Sequence, residues 1–188
     1  AKITAAGSDD LCPFTKANTY FTLPPAYHTP SARDPKVVYI NGRYHMFVTT
    51  SLCKNGRGCL AHLVSEEMNV DSSSWQDVGP VFISGDQTQP ECPDYFRLGN
   101  YYYLVYSLDG KARYIYSETP FGESGWIEPK NNIIPCGVVP KSAAIHGQRI
   151  FTGFVPKQKE GEYAGFAVFA KATQNPDGSL SFQPWPLN

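Results

Sequence analysis

An all-β fold is what the sequence predicts, and three features predict it. Aromatic residues make up 14% of the 188, with 12 Tyr and 11 Phe, and Gly and Pro number 16 each. That mixture suits short strands joined by tight turns. No long stretch keeps the roughly 3.6-residue apolar period of an amphipathic helix. The third feature is a repeat of strand–turn–strand units, which a β-sandwich would leave unexplained.

The repeat is clearest in "ARDPKVVYINGRYHMFVTTS" (32–51) and "PECPDYFRLGNYYYLVYS" (90–107). Each has a polar lead, a strand, a glycine turn and an aromatic-rich strand, "RYHMFVTTS" (43–51) or "NYYYLVYS" (100–107). Gly42 and Gly99 are 57 residues apart, and the same offset sets Asp34 against Glu91. A third copy is "VVPKSAAIHGQRIFTGFV" (138–155), with Gly147 following Gly99 by 48 residues. The second halves repeat as well. "CLAHLVSEEMNVDSSSW" (59–75) parallels "ARYIYSETPFGESGW" (112–126), which aligns Trp75 with Trp126 as packing residues. "GFAVFAKATQNPDGSLSF" (165–182) supplies a third example, in which "NPDGS" is a strong hairpin signal.

About four strands per unit, at a period of about 40–50 residues, is the signature of a propeller blade. The expected organisation is one partial β-propeller domain over 1–188. Residues 1–31 would form an outer strand and connecting segment, with blades at 32–84, 85–136 and 137–188. Three blades fall short of the 4–8 or so that close a propeller. Further blades or a self-associating copy are therefore expected to complete it. The opening "AKITAAGSDD" has neither an initiator Met nor a signal pattern, so the chain is expected to be either a mature protein or one that lacks its upstream part.

Charge narrows the partners. With 16 Lys+Arg against 17 Asp+Glu, the net charge of −1 argues against nucleic acid. No apolar run approaches the roughly 20 residues that span a bilayer. A neutral molecule or another protein is the expected partner. Of the five cysteines (Cys12, Cys53, Cys59, Cys92 and Cys136), Cys53 and Cys59 flank a turn-like "KNGRG" and could bridge in an oxidising compartment. Five reduced thiols is the equal alternative. There is no Cys-x-x-Cys, and the four His do not cluster, so no metal or other cofactor is expected.

In a propeller the innermost strand of each blade lines the channel, so equivalent positions are expected to meet around the axis. Asp34 and Glu91 would then face one funnel, with Lys141 near the third such position. Glycoside hydrolysis needs such a pair, one carboxyl held protonated and another kept charged. Alone, an Asp before Pro is often a turn residue, a Glu before Cys-Pro a solvated charge, and Arg33 a surface charge or an ion-pair partner. Matched places in a repeat favour the functional reading. Tyr101, Tyr102 and Tyr103 could stack on sugars, but strand alternation favours core tyrosines, with Tyr102 and its same-face neighbours buried.

"RDP" at 33–35 before a strand, followed by "ECPD" at 91–94 before "YF", resembles the paired motifs of glycoside hydrolase family 32. Those are the β-fructosidases: invertases, inulinases and levanases. "GCLAHLVSEEM" and "PKSAAIHGQRIFTGFV" also resemble that family's blades, particularly a bacterial branch, and the likeness covers roughly residues 30 to 182. The resemblance implies a five-bladed propeller, a fructan or sucrose-like substrate, and retention of configuration. It makes Asp34 the transition-state stabiliser and Glu91 the general acid/base. Arg33 would orient Asp34 and touch substrate, while Cys92 and Asp94 would shape the pocket around Glu91. Ser31 and His28 would line the pocket, and Lys141 would tune Glu91.

The family's nucleophilic Asp lies in an Asn-Asp-Pro-Asn-Gly-like motif that this sequence lacks. Asp9 and Asp10 in "GSDDLCPF" (7–14) have a different context. This chain alone is therefore not expected to hydrolyse well. A non-catalytic carbohydrate-binding propeller is the main alternative. A related hydrolase of arabinose or xylose polymers and a protein-interaction scaffold are further ones. An extracellular or periplasmic location is expected.

Overall fold

Alternating apolar residues between turn signals become antiparallel strands throughout the computed structural model, which describes residues 1–69, 72–156 and 165–185. Parts of the expected first blade (70–71) and third blade (157–164 and 186–188) lie outside the described residues. The chain divides into two units, Ala1–Pro90 and Glu91–Asn188.

In the first unit, β1 (Ala6–Gly7) and β2 (Thr15–Lys16) form a short hairpin. The main sheet runs β3 (Arg33–Ile40), β4 (Arg43–Ser51), β5 (Gly58–Ser65) and β6 (Gln76–Asp77), and β7 (Phe82–Ile83) also pairs with β5. Most of β4 and all of β5 are buried, so both faces of these central strands are covered. One face packs Met46, Val48, Cys59, Leu63 and Trp75 against Phe21, Leu23 and Tyr27 from the N-terminal segment. Residues 1–31 thus do more than connect, because they supply one wall of a core.

On the other face of β4 and β5, His45 and His62 are both 7% exposed, with Nδ1 of one 2.9 Å from Nε2 of the other. Burial pushes His62 down to about 3, helped by His45, and also lowers His45. Cys59 points into the core and Cys53 is exposed, so these two do not bridge, and none of the five cysteines forms a disulfide. Burial pushes the Cys59 thiol up to about 12.

The second unit opens with a three-stranded sheet of β8 (Glu91–Leu98), β9 (Tyr101–Leu108) and β10 (Lys111–Ser117). Its expected fourth strand is reduced to two isolated bridges, Tyr116 with Ile127 and Arg113 with Ile133. Pro129 within that stretch and Pro135 just beyond it cannot donate to a ladder. The next sheet, β11 (Val138–Ile145), β12 (Gln148–Pro156), β13 (Gly165–Gln174) and β14 (Leu180–Pro184), is ordered as in the chain.

The "NPDGS" hairpin joins β13 to β14 and lies on the tyrosines of β9 and β10. Tyr103 donates to the Gly178 carbonyl at 2.6 Å and Tyr116 to the Asp177 carbonyl at 3.1 Å, while Tyr114 accepts from the Leu180 amide at 2.8 Å. Gly178 has φ +86°, and a Cβ there would stand 2.7 Å from the Tyr116 ring. Alternation buries Tyr103 completely, whereas Tyr102 is half-exposed beneath the Arg97 guanidinium, which corrects the expected register of the three tyrosines. Trp75 is core, but Trp126 is only half-buried against Gly122.

All three inner hairpins carry a bulge at the same place. Pairing jumps from Arg33–Thr49 to Lys36–Phe47, from Glu91–Ser107 to Asp94–Val105, and from Val138–Phe154 to Lys141–Thr152. Two residues therefore oppose one, and the first of each two has positive φ: Asp34 at 52°, Cys92 at 51° and Val139 at 55°. A proline follows each time, Pro35, Pro93 and Pro140.

This register corrects the sequence alignment by one residue: Glu91 matches Arg33, and Cys92 matches Asp34. The slip comes from the turns. Asn41 and Gly42 both have positive φ, as a type I′ turn requires, whereas Gly99 alone does in the second hairpin, as in type II′. Glycine therefore holds the second turn position in one hairpin and the first in the other. Lys141 likewise matches Lys36 and Asp94, and the third counterparts of Arg33 and Asp34 are Val138 and Val139.

Two predictions follow from these packings. A histidine kept neutral when folded takes up protons on unfolding, so its stabilisation is complete above the unfolded pKa near 6.5 and fades as pH falls toward 3. Chemical denaturation should show about 2 kcal/mol lost between pH 6.5 and 5, and His62→Phe should flatten that slope. At Gly58 a Cβ would sit 2.0 Å from the Thr88 carbonyl oxygen. Gly58→Ala should cost about 1–3 kcal/mol by thermal unfolding, as overpacking does.

Candidate functional site

The predicted residues fall into two groups, each built within its own unit around one bulge. In the first unit, Arg33 opens the bulge and Asp34 occupies its left-handed position. Their side chains are 36% and 29% exposed, and Arg33 Nε lies 3.9 Å from Asp34 Oδ2. Arg33 Nη1 donates to the Ser31 carbonyl at 2.9 Å and to Oε1 of Gln89. Gln89 Nε2 in turn donates to the hydroxyls of Ser31, at 3.0 Å, and Ser51, at 2.5 Å. Ser31 therefore ties Arg33 to Gln89. His28 contributes its carbonyl, which accepts from the Ser31 and Thr50 hydroxyls, while its side chain is exposed.

Gln89 had no signal in the sequence. It lies between two hairpins in "DQTQPE", a stretch that reads as a polar loop. Beside it, the Pro90 carbonyl accepts from the buried Thr49 hydroxyl at 2.8 Å. Gly58 passes directly under Thr88 and Gln89, which is why only glycine fits there.

In the second unit, Glu91 opens the bulge and is exposed, and Cys92 is half-buried at the left-handed position. Asp94 closes the bulge and is 2% exposed. Its Oδ2 accepts from the Ser142 amide at 2.8 Å and hydroxyl at 2.6 Å, and its Oδ1 accepts from the Tyr95 amide at 3.0 Å. Lys141 Nζ donates to the Pro93 carbonyl at 2.8 Å. Arg149 lies over the Phe96 ring at 4.1 Å and reaches the Ser142 hydroxyl at 3.4 Å. Burial lowers the Arg149 guanidinium from its ordinary range, and the Asp94 carboxylate opposes that shift.

Chemically, the first group offers a carboxylate beside a guanidinium held by an amide, a set suited to gripping hydroxyls. The second offers an exposed carboxyl on a backbone fixed from below. Among the described residues no group of three or more His, Cys, Asp or Glu could hold a metal ion, and no helix is long and apolar enough to cross a membrane.

Comparison with known proteins bears on the fold and the family. A search of curated proteins found no match. The structure is similar to a Bombyx mori GH32 β-fructofuranosidase, with a TM-score of 0.75 at 16% identity over 97% of this chain and 43% of that one. It is similar to fructan 1-exohydrolase IIa from Cichorium intybus, solved with 1-kestose, with a TM-score of 0.68 at 14% identity over 93% and 39%. A thermostable family-43 glycoside hydrolase matches at 0.60, with 16% identity over 87% and 55%. The chain thus spans less than half the length of the first two, and its fold is the all-β propeller fold of these enzymes. The model of the glycosyl hydrolases family 32 N-terminal domain matches residues 2–131. With its two motifs at matching bulges, the chain belongs to glycosyl hydrolase family 32.

Proposed function

We propose that the protein is a β-fructosidase acting on sucrose-like or fructan substrates, with Glu91 as general acid/base and Asp34 as transition-state stabiliser. One observation carries the reading: Arg-Asp-Pro and Glu-Cys-Pro occupy the same left-handed bulge in consecutive inner hairpins. Bulges re-aim side chains and gather at functional sites. The family's two motifs therefore each fall at a left-handed bulge residue held before a proline. Among the similar structures, one of the Bombyx mori enzyme holds sucrose and that of the Cichorium intybus enzyme holds 1-kestose.

In this reading Glu91 protonates the departing sugar oxygen and then activates water. Asp34 stays charged beside the oxocarbenium-like centre and grips ring hydroxyls, with Arg33 orienting it. Ser31 lines the sugar site beside Asp34, and Cys92, Asp94 and Lys141 shape the surroundings of Glu91. Retention needs a second carboxylate about 5–5.5 Å from the acid/base, and no Asn-Asp-Pro-Asn sequence supplies it here.

A second reading, a carbohydrate-binding propeller without turnover, draws on Asp10. That carboxylate accepts from the Ser8 hydroxyl and the Cys12 amide in an exposed turn, which is a structural arrangement and not a nucleophile's. In either reading the protein works outside the cytoplasm. Its propeller is completed by further blades or a second copy, over the face of the last sheet where Ile145 and Phe154 are exposed.

Fructose release from sucrose, inulin and levan tests the proposal in the full-length protein. Glu91→Gln should lower turnover by about 10²–10⁴-fold, the range for losing a general acid. Unchanged turnover would remove Glu91 from the mechanism. Asp34→Asn should weaken sugar binding by roughly 10–100-fold in calorimetry, the worth of a charge-assisted hydrogen bond. Normal sugar affinity in that variant would contradict its role.

A further inference from the structure

We propose that Asp94, Ser142 and Arg149 are positioning residues that hold Glu91 in its working direction. The inference rests on the reading of Glu91 as acid/base, and it concerns how the second unit fixes that side chain. Glu91 and Asp94 are the two ends of one bulge, and Cys92 between them has φ 51° ahead of a proline. A non-glycine residue stays there only where its surroundings over-determine it.

Two adjacent residues of β11 supply that constraint. Lys141 holds the Pro93 carbonyl, and Ser142 holds the Asp94 carboxylate with both its amide and its hydroxyl. Arg149 completes the set from β12, reaching the Ser142 hydroxyl and placing a positive charge beside the buried Asp94.

The repeat shows that these residues are a departure. By the bulge register, Ser142 stands where the other hairpins have Val37 and Tyr95, and Arg149 stands where they have Tyr44 and Tyr102. Only the third hairpin replaces an apolar or aromatic pair with a hydroxyl and a guanidinium, and both meet Asp94's network. The exchange is costly, since Arg149 Nε is buried with no hydrogen-bond partner among the described residues. A local rule broken at a cost, next to the candidate acid, is what a functional constraint produces.

The test uses leaving groups. A sugar leaving group needs protonation, whereas p-nitrophenolate departs with little acid assistance. In the full-length protein, kcat/KM, which reports the first, acid-assisted step and not the later attack of water, is measured on sucrose and on p-nitrophenyl β-fructofuranoside for Arg149→Met, Arg149→Lys and Ser142→Ala, with Glu91→Gln as calibrator. Arg149→Met and Ser142→Ala should lose about tenfold or more in kcat/KM on sucrose. They should keep most of kcat/KM on the nitrophenyl substrate, and Arg149→Lys should recover most of the loss on sucrose.

Equal losses on both substrates would mark a structural role only and overturn the proposal. If Glu91→Gln itself loses equally in kcat/KM on both, the acid/base reading fails. The clamp is then judged by iodoacetamide alkylation of Cys92, followed by peptide mass spectrometry against the exposed Cys12 and Cys53 of the same molecule. A rate for Cys92 raised severalfold in Ser142→Ala supports the clamp, and an unchanged rate overturns it.

Discussion

A residue with a side chain, held at positive φ immediately before a proline, is the constraint on which the site depends. Proline pushes its predecessor toward extended backbone, and a Cβ disfavours the left-handed region. Each such position costs about 1–3 kcal/mol, and the described residues include three, at Asp34, Cys92 and Val139. Against a total stability of about 5–15 kcal/mol that is a heavy load. Buried strands and hydrogen bonds around each bulge must offset it.

Each bulge is held differently, and the differences follow the chemistry. Around Asp34 the hold passes through side chains, with Arg33, Gln89, Ser31 and Ser51 forming one network. Such a network fixes a charged group and its neighbour together. Around Glu91 the hold passes through Asp94 and the Pro93 carbonyl, so the backbone is fixed while Glu91 is left exposed. On the proposed roles, the first arrangement suits a group that grips sugar hydroxyls. The second suits one that must reach substrate and water.

Most of the fold was legible in the sequence because its signals are local. "RYHMFVTTS" is β4 residue for residue, and "NPDGS" is a hairpin. The register was legible only to within one residue, because glycine fits either position of a two-residue turn and Gly42 and Gly99 chose differently. The fourth strand of the second sheet was lost to two prolines that the repeat had obscured. The site was partly legible, through motifs that a family resemblance could carry. Gln89 and Arg149 were not, since a glutamine in a polar loop and an arginine after a turn look like solvated surface until long-range pairing brings them to a bulge.

Val139 gives the last step. It has the same strained φ as Asp34 and Cys92, yet neither it nor Val138 carries a chemical group. A β-branched residue is the least suited to that region, so function at Val139 itself does not explain it. What the third bulge does is set the register of β11 after it, and that register puts Lys141 against the Pro93 carbonyl and Ser142 against Asp94. Without the extra residue, every side chain beyond it would turn to the opposite face. The third bulge therefore serves the second: its strain places the residues that hold the backbone beside Glu91.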